Sequence, residues 1–107
     1  MCMEDVRIGR KTDSRLGSLT LTGGVQNLVQ HDPNRVSLTL FAPATGVCYL
    51  RTDDAITTTN AIAHVAGMNP IILTVQEHGQ IVTRAWFVAG TTIGTVYPYI
   101  EGNLEAQ

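Results

Sequence analysis

The stretch Asp32-Pro33-Asn34-Arg35-Val36-Ser37-Leu38-Thr39-Leu40 decides the fold class of this 107-residue chain. It opens with a Pro-Asn turn signal and then alternates strictly between apolar and polar residues. In an extended strand the apolar residues Val36, Leu38 and Leu40 lie on one face, and the polar residues between them lie on the other. The stretch therefore predicts a half-buried β-strand that is entered from a turn.

Similar alternating or β-branched runs recur along the chain, separated by turns rich in Gly, Pro and Asn. The runs cover residues 16–22, 25–30, 35–42, 47–51, 71–76, 81–89 and 93–97. About seven short strands at this spacing predict an all-β fold, either a small antiparallel β-sandwich or a barrel.

Some of these runs carry more specific expectations. Runs 35–42 and 47–51 predict a hairpin with a short loop, and run 81–89 predicts a long central strand because both of its faces carry large apolar residues. Residues 60–66 fit either one or two helical turns or a short β segment. Pro98 predicts that the chain after it is an edge strand or a tail.

The basic residues divide the chain into three parts. Residues 1–15 hold four of the seven basic residues, Arg7, Arg10, Lys11 and Arg15, and show little apolar periodicity. We therefore predict an N-terminal arm at residues 1–15, a β-sandwich domain at 16–101 and a polar C-terminal tail at 102–107. The arm is either a disordered tail or a segment that docks on a neighbouring subunit.

The composition excludes several classes of protein and favours an assembly. Charged residues make up 15% of the chain and hydrophobic residues 44%, so part of the surface is expected to be buried against other subunits. The net charge of −2 argues against a nucleic-acid partner. No window has the length of a membrane span, and no signal peptide is evident.

The candidate chemical groups do not combine into a site. The three histidines, His31, His64 and His78, are far apart in the sequence, and Asp53-Asp54 point to opposite sides of an extended chain. Cys48 alternates within a strand pattern and is expected to be a buried structural thiol. Because Cys2 lies near the terminus, two free thiols are expected, as in a reducing cytoplasm. We predict no catalytic residue, no cofactor, no metal site and no enzymatic activity.

Several motifs resemble small β-rich virion proteins of tailed bacteriophages. The resemblance begins at residues 33–38 (Pro-Asn-Arg-Val-Ser-Leu) and continues at residues 46–50 (Gly-Val-Cys-Tyr-Leu). It includes the Ala66-Gly67 turn, the pattern made by Gly79, Val82, Thr83, Ala85 and Trp86, and a closing Thr-Thr-Ile-Gly-Thr-Val strand at residues 91–96. It covers roughly residues 25–101. The chain departs from this family at residues 52–66, where Asp53-Asp54 and a threonine run replace a glycine-rich loop.

The resemblance implies a structural virion protein that decorates and reinforces a capsid. Such a protein, made in the host cytoplasm and placed on the capsid exterior, bridges neighbouring copies of the major capsid protein and commonly forms homotrimers. The resemblance also fits a tail, neck or fibre component, and an outward-facing glycan-binding module is a further alternative.

Two groups of contact residues follow from this implied function. Arg7, Arg10, Lys11 and Arg15 are expected to pair with acidic patches of the capsid. Tyr97, Tyr99 and Ile100, next to the strand break expected at Pro98, are expected to form contacts between subunits.

Overall fold

Eight β-strands make up the architecture, which a computed structural model describes for residues 12–104. The strands are β1 (Thr12–Thr20), β2 (Val25–Val29), β3 (Arg35–Leu40), β4 (Val47–Arg51), β5 (Ile62–Val65), β6 (Ile71–Thr74), β7 (Trp86–Gly90) and β8 (Val96–Leu104). A short helix, α1 (Val75–His78), and a 3-10 helix (Gly79–Thr83) lie between β6 and β7. The predicted all-β class is confirmed, with one strand more than expected.

The strands form two four-stranded antiparallel sheets that pack into a sandwich rather than a barrel. The first sheet has the strand order β1-β8-β3-β6, and the second has the order β2-β7-β4-β5. This distribution of eight strands over two sheets is that of a jelly roll. Since jelly rolls serve many purposes, the fold alone assigns no function.

The core lies between the two sheets and is mostly aliphatic, with one indole and one phenol. It consists of Leu21, Leu28, Val29, Leu38, Leu40, Cys48, Leu50, Leu73, Val82, Trp86, Val88 and Tyr97. Burying each of the large aliphatic side chains contributes about 1.5–3 kcal/mol to folding. Leu38 and Leu40 occupy the core as the alternation predicted.

A bulge at Val36 shifts the start of β3. Arg35 lies opposite Asn103, whereas Ser37 lies opposite Gly102, so Val36 is the extra residue of the pair. As a result Arg35 points into the interior and is buried, while Val36 is only half-buried. The prediction that Val36 shares the core face of Leu38 is wrong, because alternation in the sequence does not show a bulge.

The predicted hairpin between the third and fourth strands is also wrong. β3 pairs with β6 and β8 in the first sheet, and β4 pairs with β5 and β7 in the second. The loop between them therefore crosses from one sheet to the other. Gly46, with a φ of 77°, makes this crossing possible, and the Val47 N–H donates to the hydroxyl of Thr91 across the same end.

The predicted long strand at residues 81–89 is replaced by a 3-10 helix followed by β7. Two side chains favour the helical turn: the hydroxyl of Thr83 donates to the carbonyl of Gln80 at 2.7 Å, and the indole N–H of Trp86 donates to the carbonyl of Ile81 at 3.2 Å. These local hydrogen bonds offer the backbone an alternative to the sheet. Trp86 itself is buried in the core.

Residues 60–66 contain strand β5, so the β alternative for this segment is correct and the helical one is wrong.

The expectation for Pro98 is wrong, because β8 runs through it between β1 and β3. The last paired residues of β3 and β8 are Leu40 and Tyr99, and just beyond them the Phe41 N–H donates to the carbonyl of Pro98. The N–H that proline lacks would point to this same side, where the ladder has ended, so its loss costs the sheet little.

The sandwich extends beyond the expected bounds of 16–101. Residues 12–15 belong to β1 and residues 102–104 belong to β8, and the two strands pair from Thr12–Leu104 to Thr20–Val96. The outermost parts of the expected arm and tail, residues 1–11 and 105–107, lie outside the described residues.

Candidate interaction surface

A buried arginine holds several segments together at one end of the sandwich. The Arg35 side chain is 1% exposed, and its Nε donates to the Glu101 carboxylate at 2.8 Å. Its Nη1 donates to the carbonyls of Val82 at 3.0 Å and Arg84 at 2.9 Å, and its Nη2 donates to the carbonyl of Gln30. Because these acceptors come from separate segments, the role of this ion pair is to position them.

A buried histidine and tyrosine form a second polar contact inside the sandwich. His64 Nε2 lies 3.1 Å from the carbonyl oxygen of Asn69, and His64 Nδ1 lies 2.7 Å from the hydroxyl of Tyr97. A carbonyl only accepts, so Nε2 carries the proton in the neutral ring and the Tyr97 hydroxyl donates to Nδ1. Both side chains are fully buried. Tyr97, predicted at a subunit contact, therefore lies in the core, and that expectation is wrong.

Cys48 lies next to this pair and is a free, fully buried thiol, as expected from its strand position. Burial raises the pKa of Cys48 to about 11. Burial also raises the pKa of Tyr97, and the negative charge of a Cys48 thiolate would raise that pKa further. Only the thiolate is nucleophilic, so this environment makes Cys48 inert.

We expect Cys48 in a Cys2→Ser variant to resist a water-soluble disulfide reagent at pH 8 for as long as the protein is folded. Roughly one thiol in a thousand is ionised at that pH, and burial blocks access as well. Unfolding in guanidinium should release one reactive thiol per chain, measured by absorbance of the released thiolate. Rapid reaction of the folded protein would contradict the burial of Cys48.

The loop at residues 52–60, which departs from the phage family, is ordered by its own polar side chains. Arg51 forms a two-point ion pair with Asp53, at 2.8 and 2.9 Å, and also donates to the carbonyl of Asn60. Hydrogen bonds from Arg51 and from the Ala55 N–H lower the pKa of Asp53. Asn60 accepts from the Thr57 N–H at 2.7 Å. Residues 52–60 thus form a loop whose polar groups are engaged with one another.

The cavities do not present an evident reaction site. A larger one, about 380 Å³, is lined by charged residues that already have partners, such as Arg35, Glu101 and Asp32. Another, about 250 Å³, lies over Trp86 next to Ile62. A third, about 340 Å³, is lined by Val36, Thr74, Val75 and Gln76. Within residues 12–104 no group of His, Cys, Asp and Glu could hold a metal ion. In the same range no helix is both long enough and apolar enough to cross a membrane.

The basic residues of the expected capsid contact fall in two places. Arg7, Arg10 and Lys11 lie outside the described residues. Arg15 lies on β1 opposite Glu101, with its side chain exposed beside the larger cavity. Their pairing with a capsid stays a prediction.

The remaining two residues of the expected subunit contact lie on opposite sides of β8. Tyr99 points inward, and its ring occupies the space that a Cβ on Gly17 would need. Partial burial raises the pKa of Tyr99, and the nearby Glu101 adds to this rise. Ile100 points outward and is half-buried on the outer face of the first sheet. Of the three predicted contact residues, Ile100 alone is on this outer face.

The outer face of the first sheet, which we call face A, has no charged side chain among the described strand residues. It consists of Ser14, Leu16, Ser18, Thr20, Ser37, Thr39, Ile72, Thr74, Val96, Pro98, Ile100, Gly102 and Leu104. The charged residues of these strands, such as Arg15 and Glu101, point to the opposite side. An uncharged sheet face of this width is unusual for a surface that meets only water.

One row of side chains crosses all four strands of face A. Leu16 lies opposite Ile100, Ile100 opposite Thr39, and Thr39 opposite Ile72. The two ends of the row protrude most, because Leu16 is 84% exposed and Ile72 is 58% exposed. The row therefore has an apolar knob at each edge strand and a lower, half-buried centre.

The outer face of the second sheet, face B, is similar but carries one charge. Its central row runs from Val25 through Ala89 and Tyr49 to Ala63, again across four strands. Arg51 lies in the next row and is engaged by the loop described above. Among the described strand residues, the two broad faces of the molecule are therefore both poor in charge.

Sequence reasoning missed Leu16 and Ile72, although signals for both are present. Leu16 is out of phase with Leu19 and Leu21, so in one strand it must point away from them. Ile72 lies between two other apolar residues, Ile71 and Leu73. Because neighbouring residues of a strand point to opposite faces, at least one of the three must lie on the outer face.

Comparisons with known proteins bear on the fold only. No protein-family model matches the chain, and no curated protein does. Among solved structures, a chain of the Bacillus endospore appendages, described as a novel family of disulfide-linked pili, is similar with a TM-score of 0.53 at 8% sequence identity. The match covers 91% of this chain and 89% of the other. At this identity the likeness shows a shared fold.

Proposed function

We propose that this chain is a non-enzymatic structural subunit that decorates and reinforces a phage capsid. The observation that carries the structural part is the pair of broad faces with almost no charge. Exposing apolar side chains such as Leu16 and Ile72 to water costs free energy, and covering them with another protein is favourable. The capsid setting rests on the resemblance in residues 25–101.

The mechanism is cross-linking of neighbouring capsid subunits. Each copy would contact more than one subunit, so many modest contacts act together through a high effective concentration. In this mechanism Arg15 and the basic residues at 7, 10 and 11 bind acidic patches on the capsid. Ordering an arm costs conformational entropy, which the contacts must offset. The expected homotrimer would present several such arms at once.

A second candidate is a filament subunit that assembles with copies of itself. The similar jelly roll of the Bacillus endospore appendages, which are described as pili, favours this candidate. Charge-poor faces serve a self-assembling filament as well as they serve a capsid, because both uses cover them with protein. A tail or fibre component would use the same surfaces.

The two candidates differ in copy number and in what the pure protein forms. For decoration, quantitative mass spectrometry of purified particles should find hundreds of copies per particle, and a variant lacking residues 1–11 should fold but be lost from particles. For a filament, negative-stain microscopy of the pure protein should show fibres. A protein that stays monomeric at high concentration and is absent from particles and fibres would overturn the structural role.

A further inference from the structure

We propose that two copies of this chain pair face A to face A about a two-fold axis that lies in the interface and runs parallel to the strands. This arrangement places Leu16 of each copy against Ile72 of the other. The proposal rests on the structural role proposed above and assigns the surface and the partner. It is carried by the position of the two knobs at opposite ends of one row.

The symmetry follows from the strand order. A two-fold rotation about an in-plane axis parallel to the strands exchanges the two edges of the sheet, so β1 of one copy lies over β6 of the other. It likewise places β8 over β3. Leu16 then meets Ile72 twice, and Ile100 meets Thr39 twice, as an isologous contact requires. Each protruding residue thus contacts an apolar side chain rather than a serine.

Charge favours a second copy as the partner. When a surface meets a copy of itself about a two-fold axis, a charge near that axis lies near a like charge, which is unfavourable in a desolvated contact. Face A avoids this cost because none of its described strand residues is charged, although the whole chain carries −2. A strongly charged partner, in contrast, would find no complementary group on face A.

The size of face A predicts a weak pair. Four strands about 4.8 Å apart and up to nine residues long give a sheet face of roughly 400–550 Å². Two such faces bury roughly 800–1,100 Å², at the lower end of specific interfaces. The pair should therefore form at high concentration or within an assembly that holds the copies together, and a covalent trap is the suitable test.

The test uses two single-cysteine variants in a Cys2→Ser background, in which native Cys48 is buried. Leu16→Cys and Ile72→Cys carry different affinity tags and are mixed under mild oxidation. Within one chain the two positions are three strand spacings apart, about 14 Å, whereas a disulfide needs Cα atoms within about 7 Å. A disulfide between the two positions therefore requires a second copy that brings them together. We expect the mixed disulfide dimer to form at least ten times faster than either variant dimerises with itself.

A matched control uses face B. Val25 and Ala63 lie at the two ends of its central row, with the same three-strand separation, and Val25→Cys mixed with Ala63→Cys should form few dimers. Equal rates on the two faces would mean random collision, and preferential Leu16–Leu16 linkage would place the axis across the strands. Either result overturns the proposal.

A second measurement removes the cross-link. Leu16→Ser and Ile72→Ser change exposed side chains, so thermal unfolding should be nearly unchanged while the dimer fraction in sedimentation equilibrium falls at least fivefold. No change in that fraction would contradict the proposal. If particles carry hundreds of unpaired copies, the structural role stands and the pair is contradicted. If the pair forms but is found in neither particles nor fibres, the pair stands and the structural role is contradicted.

Discussion

Replacing Arg35 with methionine should lower the free energy of unfolding by about 3–5 kcal/mol. The substitution removes the partner of Glu101, whose carboxylate is 14% exposed, and leaves three backbone carbonyls without their donor. A buried charge and buried acceptors that have lost their partners cost more than the ion pair itself contributed. Since small domains are stable by about 5–15 kcal/mol, a large part of that stability would be lost. Urea unfolding followed by Trp86 fluorescence measures it.

Arg51→Met is the matched control for that experiment. The Arg51–Asp53 pair has the same 2.8 Å contact, but its side chains are 31% and 51% exposed. Exposed pairs are screened by water and contribute little to stability, so this variant should unfold close to the wild type. Similar losses in the two variants would show that burial does not set the importance of these ion pairs.

Tyr97→Ala should destabilise the fold by a similar amount, about 3–5 kcal/mol, because a large cavity opens in the core. Tyr97→Phe keeps the ring and removes the hydroxyl, which leaves His64 Nδ1 buried without its donor. That change should cost about 1–3 kcal/mol. Thermal and urea unfolding of the two variants separate the contribution of the ring from that of the hydrogen bond.

Tyr99→Phe is the corresponding control on the same strand. Tyr99 is only partly buried, and its ring packs over Gly17 and against the core. The variant should be within about 0.5 kcal/mol of the wild type. If Tyr97→Phe were equally mild, the hydrogen bond between His64 and Tyr97 would contribute little to stability.

The sequence was sufficient for the fold class because alternation is a local property. The alternation that predicts a strand at Leu38 and Leu40 also places both side chains on its apolar face, and both lie in the core. Pairing between strands was not predictable, because β3 and β4 are adjacent in the sequence but belong to different sheets. Apart from β5, their partner strands lie more than thirty residues further along the chain, and no local pattern records that choice.

The contact residues show the same limit at the level of single side chains. Aromatic character suggested an interface for Tyr97 and Tyr99, but strand phase turns both of them inward. The bulge at Val36 likewise turned Arg35 into the interior. Ile100 lies on the outer face and its subunit contact stays a prediction, while its row partners Leu16 and Ile72 could have been found from their phase alone.

The position of β8 determines when face A is complete. Of the eight described strands β8 is synthesised last, yet it lies between β1 and β3 in the first sheet. During translation β1 has no neighbour in that sheet, and the surface that carries Leu16 and Ile72 has a gap along its middle. Pairings between distant parts of a chain also form slowly. Chains on the ribosome that still lack β8 are thus unable to present the whole of face A, which delays the proposed pairing until β8 has been made.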